Sequence, residues 1–265
     1  MGIGTGQALL LRTLVEQGVW KDIQRVCDLG SQEPLAGELT GLFEAFGVLP
    51  LDGAYGADAL YRHLGALHYR SIDFNGEHGA LRFDLNKNLR AHYHYDEVFE
   101  LVTNFGTTEH CFNQFEVFRN IHQLCATGGY MLHTVPTQGW GRHSLFRYDA
   151  NFFEDLAAAN DYQVVFLEPF LRLRPYLRLN KEDTIQHVRA LCVFAESEFD
   201  KAASGTNANK SSGGQQGKVN VQRALACVGK ESALFNVTLA CVLKKNGADG
   251  FATPIQGMYR QHGGG

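Results

Sequence analysis

The chain has 265 residues, 45% of them hydrophobic and 20% charged, a size and balance that suit a globular protein with a substantial core. Its formal net charge of −4, from 24 Lys and Arg against 28 Asp and Glu, argues against a broad footprint on a phosphate backbone, so no nucleic-acid partner is expected. No apolar run reaches the roughly 18 residues of a membrane span, and the first residues lack the charged start and apolar core of a signal peptide. The six cysteines, at 27, 111, 125, 192, 227 and 241, include no Cys-x-x-Cys pair. They read as buried, reduced thiols of a cytoplasmic protein with no membrane partner.

Gln7 to Gly18 has helical spacing and a glycine stop. Val26 to Leu29 is the first strand, and Pro34 to Phe46 the helix after it, with Leu35, Leu39, Leu42, Phe43 and Phe46 as its apolar stripe. A turn-rich insertion at Leu49 to Tyr55 precedes a short helix from Ala57 to Leu64. Strands are expected at Leu67–Phe74, Ala80–Leu85 and Val98–Gly106, the first closed by the turn signal Asn75-Gly76. A helix from Phe112 to Cys125 is broken by Gly128-Gly129, and a fifth strand runs from Tyr130 to Pro136. Asn151 to Asn160 is helical, Tyr162 to Phe170 a sixth strand, and Ala233 to Lys244 a long final one, with 188–194 able to form another. The stretch 201–217, rich in Gly, Ser and Asn, reads as a flexible loop. Strands alternating with helices imply an α/β fold, doubly wound around a mostly parallel sheet with helices on both faces. The expectation is one domain over 1–265, with insertions near 47–66 and 171–232.

The chemistry concentrates where strands end. Asp28-Leu29-Gly30-Ser31 closes the first strand, and the glycine permits a tight turn beneath a ligand. Asp73 with Phe74 ends the second, Asp84 with Leu85 the third, and Asn104 with Phe105 the fourth. In a doubly wound sheet these points share the rim that binds ligands. A carboxylate after the second strand suits a ribose diol, because it accepts two hydroxyl hydrogen bonds. An acid followed by an apolar residue after the third suits an adenine ring. Asp and Gly also favour plain strand-ending turns, so it is the series that points to a nucleoside-bearing ligand.

Val-Cys-Asp-Leu-Gly-Ser at 26–31, Ser-Ile-Asp-Phe-Asn at 71–75, Phe-Asp-Leu-Asn at 83–86 and Glu-Leu-Val-Thr-Asn-Phe-Gly-Thr-Thr-Glu-His at 100–110 resemble the successive motifs of class I S-adenosylmethionine-dependent methyltransferases. Thr127-Gly128-Gly129-Tyr130-Met131 resembles the glycine pair that opens that family's fifth strand. The resemblance covers roughly residues 20–170 and the last strand. It implies a Rossmann-like seven-stranded sheet with a reversed last strand, S-adenosyl-L-methionine as cofactor and a small-molecule acceptor. It also implies cofactor contacts from Asp28, Gly30, Ser31, Asp73, Phe74, Asp84, Leu85, Asn104 and Phe105.

The sequence departs from the family at the glycine loop, where Gly30-Ser31-Gln32-Glu33-Pro34 keeps one of three glycines. Adenosylmethionine carries no phosphate, so a phosphate cradle is not required. The interval from Asp28 to Asp73 also exceeds the roughly 20 residues of a minimal unit. A Rossmann dehydrogenase fits less well, because it needs Gly-x-Gly-x-x-Gly against a pyrophosphate, and Glu33 stands where phosphate charge would lie. A base methyltransferase is disfavoured because Asn104-Phe105-Gly106-Thr107 lacks an Asn-Pro-Pro-Tyr pattern. A non-catalytic methyltransferase-like binding module is the alternative that the altered loop suggests.

Methyl transfer to oxygen or nitrogen needs alignment and a proton acceptor. Glu109, His110, His133 and His143 are the candidates, with His143 first because its loop follows the fifth strand toward the rim. His133, inside a strand, also reads as a hydrogen-bonded core residue. Arg142 and Arg147 flank His143 and suit an anionic acceptor, a carboxylate or a phosphate. His92 and His94, with Asp96 and Glu97, have metal-like spacing on an extended segment at the opposite rim, but no metal is expected.

Overall fold

The computed structural model describes residues 2–34, 57–138, 140, 142–173, 235–248 and 250–255. The expected helix over 34–46, the turn-rich insertion at 49–55, the possible strand at 188–194 and the loop at 201–217 lie outside the described residues, apart from Pro34. Contacts divide the chain into two units, one of Met1–Thr137, Ser144–Phe170 and Thr238–Gly265, the other of Gln138–His143 and Leu171–Val237. The insertion expected at 171–232 falls in the second.

The described elements are β1 (Gly2–Ile3), α1 (Thr5–Glu16), β2 (Arg25–Leu29), β3 (Glu33–Pro34), α2 (Ala57–His63), β4 (His68–Ile72), α3 (Leu89–Tyr93), β5 (Phe99–Phe105), α4 (Gln114–Leu124), β6 (Cys125–Gln138), α5 (Ala150–Ala159), β7 (Tyr162–Leu173) and β8 (Phe235–Lys245). Six strands form the main sheet in the order β4-β2-β5-β6-β8-β7, while β1 and β3 pair separately. β2 runs parallel to both β4 and β5, and β5 parallel to β6.

The period-two alternation of the strands sorts their side chains onto two cores. Val26, Leu101, Phe105, Leu132, Ala240 and Val242 face Leu10, Leu11 and Leu14 of α1 and Leu60 and Tyr61 of α2. Cys27, Leu29, Val102, Met131, Val135, Cys241 and Leu243 face Val117, Phe118, Ile121 and Leu124 of α4 and Phe153, Leu156 and Ala157 of α5. Helices therefore cover both faces. α4 starts where the Asn113 side chain accepts from the Glu116 amide, 3.3 Å. It ends under the Lys245 ammonium, which donates to the His122 and Cys125 carbonyls at 2.8 and 3.0 Å.

Three expectations need correction. The strand expected at Ala80–Leu85 is reduced to a single parallel bridge between Ile72 and Leu81 on the free edge of β4, so the described sheet has six strands rather than seven. Beyond Leu81 the chain turns on itself: the Phe83 amide returns to the Leu81 carbonyl, and the Asp84 amide donates to the Tyr93 hydroxyl, 2.9 Å. Gly128-Gly129 does not precede the fifth strand but lies inside β6. Gly128 has φ 81°, and a Cβ on Gly129 would stand 2.9 Å from the Glu100 and Ala126 carbonyl oxygens, beside the register shift between Phe99 and Leu101. His92 and His94 are not on an extended segment, since α3 ends at His94 with φ 55°. Glu97 is instead engaged by Arg25 at 2.8 Å and His68 at 3.1 Å.

Candidate ligand site at the strand ends

β2 has β4 on one side and β5 on the other, so the chain leaves it in opposite directions, the switch point outside whose carboxyl end such sheets bind ligands. Gly30 follows β2 at that point with φ 93°. A Cβ there would stand 2.5 Å from Thr107 Oγ1 and 2.7 Å from Gln32 Nε2, so both the backbone and the space demand glycine. The Gly30 amide donates to the Ile72 carbonyl at 2.8 Å, and Thr107 Oγ1 donates to the Leu29 carbonyl at 2.7 Å, tying β2 to β4 and to the turn after β5.

Asp73 meets this turn directly. Its carboxylate accepts from the Ser31 amide at 2.7 Å and from the Asn75 amide at 3.1 Å, and Ser31 Oγ donates to the Glu77 carbonyl at 3.0 Å. The structure thus brings Gly30, Ser31 and Asp73 together. Phe74 beside them is 66% exposed. Asp84 accepts from the Asn86 amide and side chain at 3.0 and 2.8 Å, and Leu85 is packed into the α4–α5 core.

Asp28 points elsewhere. Two positions after Val26, its side chain falls on the α1–α2 face of the sheet and is fully buried. It accepts from Tyr61 at 2.8 Å, Tyr69 at 3.0 Å and Thr103. Burial raises its carboxyl to about 6 in spite of these three donors. Asn104 is similarly occupied. Its Oδ1 accepts from the amides of Thr107 and Thr108, and its Nδ2 lies 2.9 Å from Thr108 Oγ1 and 3.1 Å from His133 Nδ1. It pins the turn after β5 from below, and Phe105 sits in the α1–α2 core.

The proton-acceptor candidates separate. His133 is buried against Phe153, with ring centroids 5.0 Å apart, and burial lowers it to about 3. Glu109 and His110 lie on the short helix Thr108–His110 that Asn104 supports. Glu109 is buried, and desolvation raises its carboxyl to about 7; burial lowers half-exposed His110. The Glu109 carbonyl accepts the Leu145 and Phe146 amides at 3.0 and 3.1 Å, which fixes the segment before Arg147 against this turn. His143 and Arg142 belong to the second unit, where the His143 amide donates to the Trp140 carbonyl at 3.2 Å.

Sequence reasoning missed Gln32, Thr107, Tyr61, Tyr69 and Thr103. Thr103 carried a signal, a lone hydroxyl between Val102 and Asn104 inside an apolar strand. Tyr61 and Tyr69 carried none, because aromatic residues in a helix and a strand read as core.

No helix among the described residues is long and apolar enough to cross a membrane. No protein-family model matches the chain, and no curated protein sequence is significantly similar to it. Solved structures similar to it include several described as methyltransferases and one described as a [4+2]-cyclase. A SAM-dependent methyltransferase from Archaeoglobus fulgidus has 13% identity and a TM-score of 0.42, over 90% of this chain and 94% of that one. An O-methyltransferase from the trans-AT PKS multienzyme of Brevibacillus brevis, in complex with S-adenosyl-L-homocysteine, has 11% identity and a TM-score of 0.43, over 89% and 71%. Loganic acid methyltransferase with SAH has 10% identity and a TM-score of 0.45, over 91% and 92%. Likeness at these values assigns no activity or ligand to this chain.

Proposed function

We propose that the chain is an S-adenosyl-L-methionine-dependent methyltransferase acting on a small molecule. The observation that carries this reading is the junction of Gly30, Ser31 and Asp73 at the switch point, where a glycine adjoins a carboxylate. Its chemistry suits the cofactor. The turn sets the Asp73 carboxylate beside a glycine, and the two oxygens of Asp73 keep lone pairs for a ribose diol. Gln32 and Glu33, where further glycines would cradle phosphate, suit a ligand without one. On this reading Gly30, Ser31 and Asp73 hold the cofactor, with Phe74, Asp84 and Leu85 toward the adenine. Asp28, Asn104 and Phe105 act from beneath, by fixing the ends of β2 and β5. The same reading takes 1–265 as one methyltransferase-like domain, cytoplasmic, with β8 as its reversed strand.

When bound, the cofactor supplies an electrophilic methyl group. The protein aligns an acceptor with it and takes a proton from that acceptor. We assign the proton to the Glu109 carboxylate, a buried group held near neutrality on a turn at the rim; His110 is its neighbour, and His143 remains the candidate of the second unit. His133 suits the role less, because a ring lowered to about 3 is a weak base. Arg147 would favour an anionic acceptor.

The non-catalytic module is favoured by one observation, the Gln32 side chain lying over Gly30. Calorimetric titration of S-adenosylhomocysteine into the wild-type protein and Asp73→Ala tests both readings. Micromolar binding that weakens at least tenfold in the variant is expected. Absence of wild-type binding would end the methyltransferase proposal and leave the module.

A further inference from the structure

Tyr148 ties the chain before α5 to the turn after β5, and the proposed function leaves it unused. It is 4% exposed. Its amide donates to the Pro136 carbonyl of β6 at 2.9 Å. Its ring lies against Phe118 of α4 and Phe152 and Phe153 of α5, at centroid distances of 5.9, 5.1 and 6.0 Å. The hydroxyl is thereby carried to the turn, 3.1 Å from Thr108 Oγ1 and 2.6 Å from Gln114 Oε1.

The proton positions follow from the neighbours. Gln114 Nε2 donates to the Thr108 and Cys111 carbonyls at 2.9 and 2.5 Å, so its Oε1 is turned to Tyr148 and can only accept. A phenol has one proton, which Tyr148 gives to Gln114, so Thr108 Oγ1 donates to Tyr148. Thr108 Oγ1 in turn accepts from Asn104 Nδ2, while Asn104 Oδ1 is taken by the Thr107 and Thr108 amides. Asn104, Thr108, Tyr148 and Gln114 thus form one directed chain of hydrogen bonds that closes back onto the backbone on either side of Glu109. The Glu109 carboxylate lies 3.9 Å from His110 Nε2, and the Cys111 thiol and the Tyr148 phenol are within electrostatic reach of it.

We propose that Tyr148 is a positioning residue for methyl transfer: through Thr108 and Gln114 its hydroxyl holds the turn closed and keeps the Glu109 carboxylate out of water. This rests on the assignment of the proton to Glu109. Tyr148 need not touch the reacting atoms, since it acts through the turn that carries the base. Without the hydroxyl, Gln114 Oε1 and Thr108 Oγ1 each lose a buried partner and draw in water to replace it. Water at the turn hydrates the Glu109 carboxylate, and the desolvation that raises it from 4.5 to about 7 is relieved.

The test reads Glu109 directly and needs no acceptor. Protein carrying carbon-13 at its glutamate carboxyls is titrated by NMR as wild type, Tyr148→Phe, Thr108→Val and Tyr162→Phe, with Glu109→Gln identifying the resonance. In wild type that resonance should titrate at about 7. Tyr148→Phe keeps the ring among Phe118, Phe152 and Phe153, and should lower the midpoint by about one pH unit or more. Thr108→Val breaks the same chain and should do likewise, so it decides alone if Tyr148→Phe does not fold. Tyr162→Phe removes another buried phenol, 2.6 Å from His122 Nδ1 near the other end of α4, and should leave the midpoint within about 0.2 of a pH unit. An unchanged midpoint in Tyr148→Phe, or an equal fall in Tyr162→Phe, would overturn the positioning role and leave Glu109 as the base. A wild-type midpoint near 4.5 would overturn both, while the cofactor reading would still stand or fall by the calorimetric titration.

Discussion

Glu109 is a carboxylate whose ordinary range lies far below neutrality, moved to about 7 by burial. A general base works best when its pKa lies near the working pH. Below about pH 7 Glu109 is protonated and cannot accept a proton, so methyl transfer should rise with pH through about 7 and level off above it. Glu109→Gln should flatten that rise and lower kcat at least a hundredfold, measured as transfer of labelled methyl to the best substrate of an acceptor panel; an unchanged profile would remove Glu109 from the role. Gly30→Ala gives a structural counterpart. A Cβ at φ 93° is strained and would overlap Thr107 Oγ1, so the variant should lose about 2 kcal/mol or more in urea unfolding. Gly30 was legible because only glycine tolerates such a turn, and the sequence marks it. Asp28 was legible as an acid at a strand end but not in its role, since one residue of parity decides whether it faces the rim or the helices, and its three hydroxyl partners come from distant segments.

The elements around the site depend on side chains that replace backbone pairing. After β5 the chain leaves the sheet through Gly106, and Asn104 satisfies the amides of Thr107 and Thr108 that the ladder no longer reaches. Tyr148 completes the support, its hydroxyl 3.1 Å from Thr108 Oγ1 and 2.6 Å from Gln114 Oε1. Asn104→Ala should therefore cost about 2–4 kcal/mol in urea unfolding, because it strands buried donors as well as losing bonds. The same substitution should also weaken S-adenosylhomocysteine binding by loosening the turn that carries Thr107. A loss below about 1 kcal/mol would show that water replaces the side chain. Helices and central strands were readable because burial imposes their period on the sequence. The Ala80–Leu85 segment misled because its alternation is real but its partner is an edge. There, one bridge at Leu81 competes with the Asn86 and Tyr93 contacts that turn the chain away.

Across the whole molecule, buried titratable groups set how stability responds to pH, and their signs differ. Asp28 is raised from 3.8 to about 6, so the folded state holds a proton that the unfolded chain has released between those values. Its contribution is complete below about pH 3.8 and is lost as the pH rises through about 6. Glu109, raised from 4.5 to about 7, acts in the same direction across a slightly higher window. His133, lowered from 6.5 to about 3, acts oppositely: its contribution is complete above about 6.5 and is lost as the pH falls. In wild type these trends partly cancel, so single variants must separate them. Asp28→Asn keeps the volume and can still accept from Tyr61 and Thr103, with its amide donating to Tyr69. Relative to wild type it should gain stability as the pH rises from 4 to 7, by at most about 3 kcal/mol, the free energy of a two-unit shift in a fully buried group. His133→Gln should show the reverse, losing ground to wild type over the same interval. Urea unfolding of the three proteins at half-unit pH steps measures both slopes. A flat difference for Asp28→Asn would mean that its three hydroxyl donors already offset burial and that the carboxyl is charged in the sheet at pH 4.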